Sequence, residues 1–348
     1  MKALIKKSFI IWGSILIAII VIGVGTSFGS SNITIWDTMS IIGNKVFNMT
    51  LPANIAEQDV AIIWIIRLPR VLLAFMIGGI LSVSGVVTQS ILKNPLASPY
   101  TIGVSAGASL GVGIYIILGI SIPFIGNFSL PIIGFICGVI TIFTVILFSN
   151  KVDRGFSNNT IILSGMVLSL FASAILTTLT AVFSENLKTI SMWQMGSFSL
   201  KGWSYVVAGI PFFIVGIILV IKYSKEMDVL SFGEEYAISV GVETSKVKKI
   251  LLISVAILSG SAVALSGVIG FVDLIVPHIT RRIFGSKHSI VIPMSIIIGG
   301  TLMVITDLLA RTIISPSELP VGAITAIIGA PFFAYIYFGK GGRKRAKN

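Results

Sequence analysis

The sequence predicts an all-α membrane protein with about ten transmembrane helices, because its composition is too apolar for water and its apolar residues form long runs. Of the 348 residues, 55% are hydrophobic and 11% are charged, and the mean hydropathy is +1.02. A soluble domain carries about 25% charged residues, so a soluble fold is excluded. One cysteine and two histidines are too few for a disulfide framework or for a metal site built from these residues.

Ten apolar runs have about the length, ~20 residues, that crosses a hydrocarbon core. The first follows a basic N-terminus and lacks a small-x-small cleavage pattern, so we expect a retained first helix over 1–28 rather than a cleaved secretory signal. The polar segments between runs are too short to bury cores of their own, which predicts a single membrane domain over 1–348. The runs lie at about 8–28, 70–92, 101–120, 129–149, 159–183, 204–222, 249–267, 270–284, 289–310 and 319–339.

The net charge of +12 is explained by how the basic residues are distributed between the two sides of the membrane. If ten spans alternate from a cytoplasmic N-terminus, 19 of the 25 Lys and Arg residues fall inside and 6 outside, in agreement with the positive-inside rule. This distribution predicts a multi-pass protein with both termini in the cytoplasm. We interpret the basic segment at 340–348 as a cytoplasmic tail that anchors the last span, rather than as a segment that binds nucleic acid or anionic lipid.

Short sequence matches between the two halves of the chain predict an inverted repeat. They are separated by 182 residues, and the first copy lies on a span that runs inward while the second lies on one that runs outward. Inverted repeats of this kind are typical of transporters. The matched pairs are Ser84-Gly85-Val86 with Ser266-Gly267-Val268, Pro95 with Pro277, and Gly103 with Gly285.

The inner loop at 223–248 contains a predicted short helix over 231–241. Its composition favours a helix, Glu234 and Glu235 lie near its N-terminus, and Gly241 is placed as a C-terminal stop. A solvated loop is the alternative interpretation. The spacing Glu235-x-Ala237-x-x-x-Gly241 resembles the coupling loop by which permeases of ATP-binding-cassette (ABC) importers contact their ATPases.

Further motifs occur in the same order as in one family of such permeases. With them, the chain from about 60 to 338 resembles the iron-siderophore, heme and cobalamin permease family of ABC importers, and we expect this region to form the family core. The motifs are Arg67-Leu-Pro-Arg70, Asn94-Pro95-Leu96-Ala97, Gly103-Val-Ser-x-Gly107, Ser266-Gly-Val-Ile-Gly-Phe271, Val276-Pro-His-Ile279, Asp307-x-x-Ala-Arg311 and Glu318-Leu-Pro-x-Gly322.

The resemblance implies a homodimer in the bacterial inner membrane, with two cytoplasmic ATPase subunits and one extracytoplasmic binding protein. The chain has no G-x-x-x-x-G-K-[ST] loop, so we expect ATP and Mg to bind in the partner ATPase and no catalytic residue, cofactor or metal in this chain. The cargo stays open between a ferric siderophore, heme and cobalamin, because no motif distinguishes them.

The resemblance also assigns roles to individual residues. Arg67, Arg70 and Arg311 match arginines that face acidic residues of the binding protein, and bidentate pairing with carboxylates suits arginine. Arginines that snorkel to the membrane interface are the alternative, as is an Asp307–Arg311 pair one helical turn apart.

Two turns at inner span ends are candidate cytoplasmic gates. In the family, the turn Asn94-Pro95-Leu96 narrows the inner end of the path, and proline breaks the helix there. The stretch Ser157-Asn158-Asn159 matches a second constriction, although two asparagines replace the more usual hydroxyl residues. The alternative for both is an ordinary turn with a helix cap.

An ion-gradient-driven secondary transporter is the rival class. Its candidate relay residues are Asp273 and Asp307, the carboxylates closest to membrane depth. We expect both to have structural roles instead, because the runs place them near outer span ends, within reach of water.

Overall fold

The computed structural model describes residues 2–29, 31, 33–120, 122, 126–153 and 156–338, and all regular structure in these ranges is helical. The predicted tail at 340–348 lies outside them. Ten helices correspond to the ten predicted runs, and the all-α, multi-span fold is confirmed. They are α1 (Lys2–Ser27), α4 (Leu68–Leu92), α5 (Val104–Leu118), α6 (Ser129–Val152), α7 (Asn158–Val182), α9 (Trp203–Lys222), α12 (Thr244–Ser266), α13 (Val272–Phe284), α14 (His288–Thr312) and α15 (Val321–Phe338).

Five shorter helices lie in the connections. One of them, α3, continues through a π-helical turn at Ile62–Arg67 into α4. By length and composition, seven helices of the described residues are long and apolar enough to cross a membrane, whereas α5 and α15 are apolar but shorter. The five are α2 (Ile35–Phe47), α3 (Glu57–Ala61), α8 (Leu187–Gln194), α10 (Ser224–Leu230) and α11 (Glu234–Ser239).

The helices α4 and α12 form the centre of the bundle. In the most apolar stretch of each helix, 89% of the residues are buried in the continuous helix that contains α4 and 78% in α12. The corresponding shares are only 17% in α1 and 22% in α7. Helices pack closely around this centre where small residues meet: a Cβ on Gly78 of α4 would overlap the carbonyl of Gly299 in α14, and one on Gly107 of α5 would overlap Thr141 of α6. Such close approach replaces the hydrophobic driving force that is missing between helices in lipid.

The helix order supports the predicted inverted repeat, but in another register. In each half, a long buried helix (α4 or α12) is followed by a short one that begins after a residue of positive φ, Gly103 (101°) or Phe271 (70°), and then by two further helices. The predicted register of the repeat, an offset of 182 residues, is wrong. It pairs Gly85, in the middle of α4, with Gly267, which follows the end of α12.

The inner loop differs in detail from the prediction. Instead of one helix over 231–241, the chain forms α10 and α11, separated by a turn at 231–233. Gly233 has φ of 133°, a conformation that other residues rarely adopt, and it breaks the helical path at this point. The predicted stop is confirmed, because α11 ends at Ser239 and Gly241 follows with φ of 88°.

Candidate functional site

A charged cluster lies where α4 begins and α14 ends, and it contains the three arginines that the sequence singled out. Arg70 is its centre. Its Nε lies 3.0 and 3.1 Å from the carboxylate oxygens of Asp307, and its Nη1 lies 2.8 Å from Oε1 of Glu318. Its Nη2 completes both pairs, at 2.8 Å from Asp307 and 3.1 Å from Glu318. Arg70 therefore joins α4, α14 and the segment before α15 by charge-assisted hydrogen bonds.

The other two arginines bind mainly uncharged acceptors. Arg67 donates to the carbonyl of Ser27 at 2.5 Å and to Oγ of Ser31 at 2.6 Å. Arg311 donates to the carbonyl of Gly25, and its Nε lies 3.6 Å from Asp307 without a hydrogen bond in the described residues. Among the described residues, neither guanidinium group therefore makes the hydrogen-bonded carboxylate pairs that Arg70 makes, although Asp59 lies near enough to Arg67 to interact with its charge.

The cluster is buried. Arg67, Arg70 and Arg311 are 5%, 6% and 8% exposed, and Asp307 is 0% exposed. Glu318 lies at the edge, in the segment between α14 and α15. Burial raises the pKa of its carboxyl, but the hydrogen bonds and charge of Arg70 outweigh burial and hold that pKa below its ordinary value. Glu318 is therefore a charged partner of Arg70.

The first candidate gate is a closed turn at the other end of α4. Lys93, with φ of 49°, ends the helix. The side-chain oxygen of Asn94 accepts a hydrogen bond from the amide of Leu96 at 2.9 Å, and its carbonyl accepts one from Ala97 at 3.0 Å. Pro95 and Leu96 are exposed. The asparagine thus forms the turn, and the two apolar side chains point away from the protein.

The second candidate gate begins α7 at the same end of the bundle. The amide of Ser157 donates to Asp153 at 3.1 Å, and its hydroxyl lies 2.9 Å from that of Thr160. The side-chain oxygen of Asn158 is buried without a hydrogen bond in the described residues, whereas Asn159 is exposed. About two turns further along α7, a Cβ on Gly165 would touch the turn at Pro99–Ile102, which follows the first gate by a few residues. The segments that follow the two candidate gates therefore contact each other.

The candidate coupling region over 224–241, which contains α10 and α11 and is called the coupling segment below, contacts the second gate through a buried lysine. Lys248 of α12 is 1% exposed, and its Nζ donates to Oε1 of Glu234 at 2.6 Å and to the carbonyl of Phe156 at 3.3 Å. Phe156 directly precedes Ser157. Ala237 is buried and accepts a hydrogen bond from the amide of Val242, whereas Glu235 is exposed. Lys248 therefore bridges α11 and the gate before α7.

A second bridge joins the coupling segment to the first gate. Oδ1 of Asp228 in α10 lies 2.9 Å from the amide of His288 and 2.6 Å from its Nδ1. The Nε2 of that ring lies 2.6 Å from the hydroxyl of Ser90, in the last turn of α4 before the Asn94 turn. Neither bridge is predictable from the sequence, because no motif contains Lys248, Asp228 or His288 and the helices that they join are separated along the chain.

Asp307 lies near an outer helix end, as the sequence predicted, but Asp273 does not. Asp273 is 1% exposed and begins α13 inside the bundle, where Gln89 donates to its carbonyl at 3.2 Å and Ser98 donates to its side chain. A Cβ on Gly85 would overlap the same carbonyl, which puts Asp273 beside the second half of α4. The expectation that water reaches Asp273 and Asp307 is therefore wrong. Among the described residues, no cluster of His, Cys, Asp and Glu could hold a metal ion.

Known proteins share this sequence and this architecture. Residues 15–338 match the FecCD transport family. An uncharacterized ABC transporter permease protein, YvrB of Bacillus subtilis, is 41% identical over 329 residues, which cover 94% of this chain and 92% of the relative. The hemin transport system permease protein HmuU of Yersinia pestis is 35% identical over 276 residues, which cover 79% and 82%.

A solved structure shares the fold. It is assigned to the metal-chelate type of ABC transporter in an inward-facing conformation, and it matches with a TM-score of 0.82 and 30% identity over 95% of this chain and 99% of that one. The family's members are transporter subunits rather than enzymes, and they work with an ATPase and a binding protein. The chain belongs to the FecCD transport family, the multi-pass permeases of bacterial ABC importers for substrates of the iron-chelate, heme and cobalamin type.

Proposed function

We propose that this chain translocates a ferric siderophore as the permease of a homodimeric importer in the bacterial inner membrane. Two cytoplasmic ATPase subunits drive it, and an extracytoplasmic binding protein delivers the chelate. One membrane domain over 1–348, with its core at 60–338, performs the transport, and both termini lie in the cytoplasm. The observation that carries this proposal is the pair of bridges, through Lys248 and His288, between the coupling segment and the two candidate gates.

The coupling segment is the proposed seat of the ATPase. Glu234, Glu235, Ala237 and Gly241 match the family's coupling loop. The carbonyl of Ala237 and the side chain of Glu234 accept hydrogen bonds from Val242 and Lys248, and these contacts anchor α11. The side chains of Tyr236, Ile238 and Val240 are exposed at the surface. An exposed apolar face on a helix that is anchored from behind is typical of a protein interface. Movement of the ATPase would act on α11 and, through Lys248, on the turn at 156–159.

The cytoplasmic gates are the proposed targets of that movement. Asn94, Pro95 and Leu96 form one, and Ser157, Asn158 and Asn159 form the other. Backbone outside a helix is tolerated at membrane depth only where it lines a cavity or is buried in protein. The contact between the segments that follow the two turns supports a single constriction built from both.

Docking of the binding protein is the proposed role of the outer cluster. Arg67 and Arg311 hydrogen-bond to carbonyl and hydroxyl oxygens rather than to carboxylates, and this supports attraction of acidic residues on the partner. Arg70 contributes differently, because its hydrogen bonds are already made within the chain. We therefore propose that Arg67 and Arg311 attract the partner and that Arg70 holds the surface in shape.

The rival, a secondary transporter, finds little support in the contacts of its candidate relay residues. Both oxygens of Asp307 accept hydrogen bonds from Arg70, so its contacts are those of a structural ion pair within the chain. Asp273 lies in the first turn of α13, where Ser98 donates to its side chain.

The deciding experiment reconstitutes the permease in liposomes with its ATPase and binding protein, and measures uptake of a radioactive ferric siderophore. We expect uptake to require ATP and the binding protein and to persist when an uncoupler removes the proton gradient. Loss of uptake on uncoupling, with ATP present, would instead support the secondary transporter. Heme and cobalamin serve as competing cargoes, and preferential uptake of either contradicts the proposed substrate.

A further inference from the structure

We infer that α2 is a membrane-interface helix, and that its exposed side binds the boundary between the headgroups and the acyl chains of the outer leaflet. This inference goes beyond the proposed function and takes from it only which side of the membrane is outer. In the sequence, α2 belongs to the connection between the first two predicted spans, and none of the family motifs falls on it.

The helix α2 is apolar on two opposite sides. One side is buried, because Ile41 is 0% exposed and forms a small core with Ile33 and Ile63, separate from the main core. With ~3.6 residues per turn, the side opposite Ile41 contains no polar side chain. Apolar residues all round are typical of a buried helix, so a second contact is expected on that side. The residues there are Ile35, Trp36, Met39, Gly43, Val46 and Phe47.

The second side of α2 is exposed. The helix that presents it is fixed at its start, where Thr34 accepts a hydrogen bond from the amide of Asp37 at 3.1 Å, and at its end, where Asn48 adopts φ of 53°. An apolar patch on a well-formed helix indicates a binding surface. Four of its side chains are more than half exposed: Trp36 (82%), Phe47 (71%), Met39 (55%) and Val46 (53%).

The helix lies at the level of the outer membrane interface. It packs against the π-helical turn at Ile62–Arg67, which contains Trp64. The Nε1 of Trp203 donates to the carbonyl of Trp64 at 2.7 Å, and the centroids of the two rings are 5.2 Å apart. Trp203 is the first residue of the span α9, and tryptophan is enriched where spans meet the interface. The π-helical turn, and α2 against it, therefore lie where the spans leave the hydrocarbon core.

Lipid is the partner that the surroundings of α2 favour. The helix follows α1 after a short connection, and α1 faces lipid, because only 17% of its most apolar stretch is buried and Phe28, directly after its end, is 55% exposed. Since α2 packs against α1 and the π-helical turn, it lies beside the spans at interface depth. A helix in this position meets headgroups and acyl chains, whereas a docking surface for a soluble partner has to face water.

The side chains of α2 suit this boundary. An interfacial helix buries its apolar face ~5–10 Å into the boundary between headgroups and acyl chains and keeps a polar face toward water. Trp36 combines a large apolar ring with one N–H donor, which is the combination enriched at this depth. The polar side chains Asp37, Ser40 and Asn44 lie together on one flank of the helix, where headgroups and water can solvate them.

Lipid that holds α2 would also steady the outer cluster. Arg67 donates to the carbonyl of Ser27 and to Oγ of Ser31, in the connection that leads from α1 into α2. Both ends of this connection are then fixed, one by the span and the other by the interface.

The test measures the depth of α2 in the full-length permease, in nanodiscs of phosphatidylcholine and phosphatidylglycerol. In a Cys137→Ala background, nitroxide labels are attached to Met39→Cys on the exposed side, to Lys45→Cys on the other side of α2, and to Leu16→Cys as a lipid-facing reference in α1. Collisions with oxygen report lipid, and collisions with a water-soluble nickel chelate report water. We expect the label at position 39 to lie ~5–10 Å below the lipid phosphates, with frequent oxygen and rare nickel collisions, and the label at position 45 to meet nickel more often.

A second readout needs no label. Lipids with brominated acyl chains quench nearby tryptophans, so Trp36→Phe should remove a lipid-quenched part of the fluorescence of the wild type. Equal quenching in the two proteins would contradict the inference.

Three outcomes of the labelling experiment would overturn the interface helix. Nickel collisions as frequent at position 39 as at position 45 would show that the exposed side faces water. Rare collisions with both reagents would show that protein, such as a second copy of the chain, covers it. Frequent nickel collisions that fall when the binding protein is added would assign the side to that partner. None of these measurements requires transport, so their failure would leave the proposed function intact.

Discussion

The two ends of this bundle hold their buried charges in opposite ways. At the outer end, Arg70 makes five hydrogen bonds to two carboxylates and joins three segments into one body. At the inner end, Lys248 joins Glu234 to the carbonyl of Phe156, and His288 joins Asp228 to Ser90, so each links only two partners. A dense network stiffens a surface that a partner must find in a defined shape, whereas single bridges let neighbouring loops move together without being locked.

The largest effect is expected at the outer end, from Arg70→Met. It leaves Asp307 buried without its hydrogen-bonded partner, with only the Nε of Arg311 3.6 Å away. Breaking a buried pair costs roughly 3–5 kcal/mol, so the thermal unfolding temperature of the purified permease should fall sharply. Adding Asp307→Leu should recover much of the loss. If Arg70→Met leaves the unfolding temperature unchanged and lowers only the affinity for the binding protein, Arg70 is a docking residue rather than a structural one.

At the inner end, Lys248→Met should uncouple ATP hydrolysis from uptake. It removes the bridge between Glu234 and Phe156, and a lost charge-assisted contact of ~1.5 kcal/mol corresponds to about a tenfold fall in uptake per ATP hydrolysed. The matched control is Lys246→Met, since Lys246 is exposed on the same helix and pairs with Glu243 at 3.4 Å instead. Equal uptake per ATP hydrolysed in the two variants would show that the Lys248 bridge does not transmit movement from the ATPase.

Arg67→Gln should weaken docking without disturbing the fold. Glutamine can keep hydrogen bonds to the carbonyl of Ser27 and the hydroxyl of Ser31 but loses the charge, and about 1 kcal/mol of lost attraction is about fivefold in the Kd of the binding protein. The difference from wild type should shrink as salt is added. Lys45→Glu, at an exposed site on the same side, is the control. A docking defect as large in the control would point to net charge rather than to Arg67.

The smallest effect is expected from His288→Gln. Glutamine can retain one of the two contacts, to Asp228 or to Ser90, so we expect uptake to fall about threefold, near the lower limit of coupling energies between linked sites. Asp228→Asn should have a similar effect, and the two changes together should add little, because they break the same bridge. Fully additive losses would show that the two residues act separately.

Local patterns in the sequence determined the number and positions of the spans, since a run of ~20 apolar residues has few other uses. The order of motifs indicated the family that the comparisons then showed. The stop at Gly241 was also predictable, because a helix that ends in a left-handed residue favours glycine there. Such features depend on neighbours within a few positions, which periodicity and composition report directly.

The tertiary structure alone decided which charges are buried and with what partners. Arg70 meets Asp307 and Glu318 more than 230 residues away along the chain, and no local pattern reports a contact at that separation. The same holds for the depth of Asp273 and for the bridges through Lys248 and His288. Whether a buried charge or hydroxyl is satisfied depends on what the packed helices bring next to it, so the partners of these groups could be read only from the folded chain.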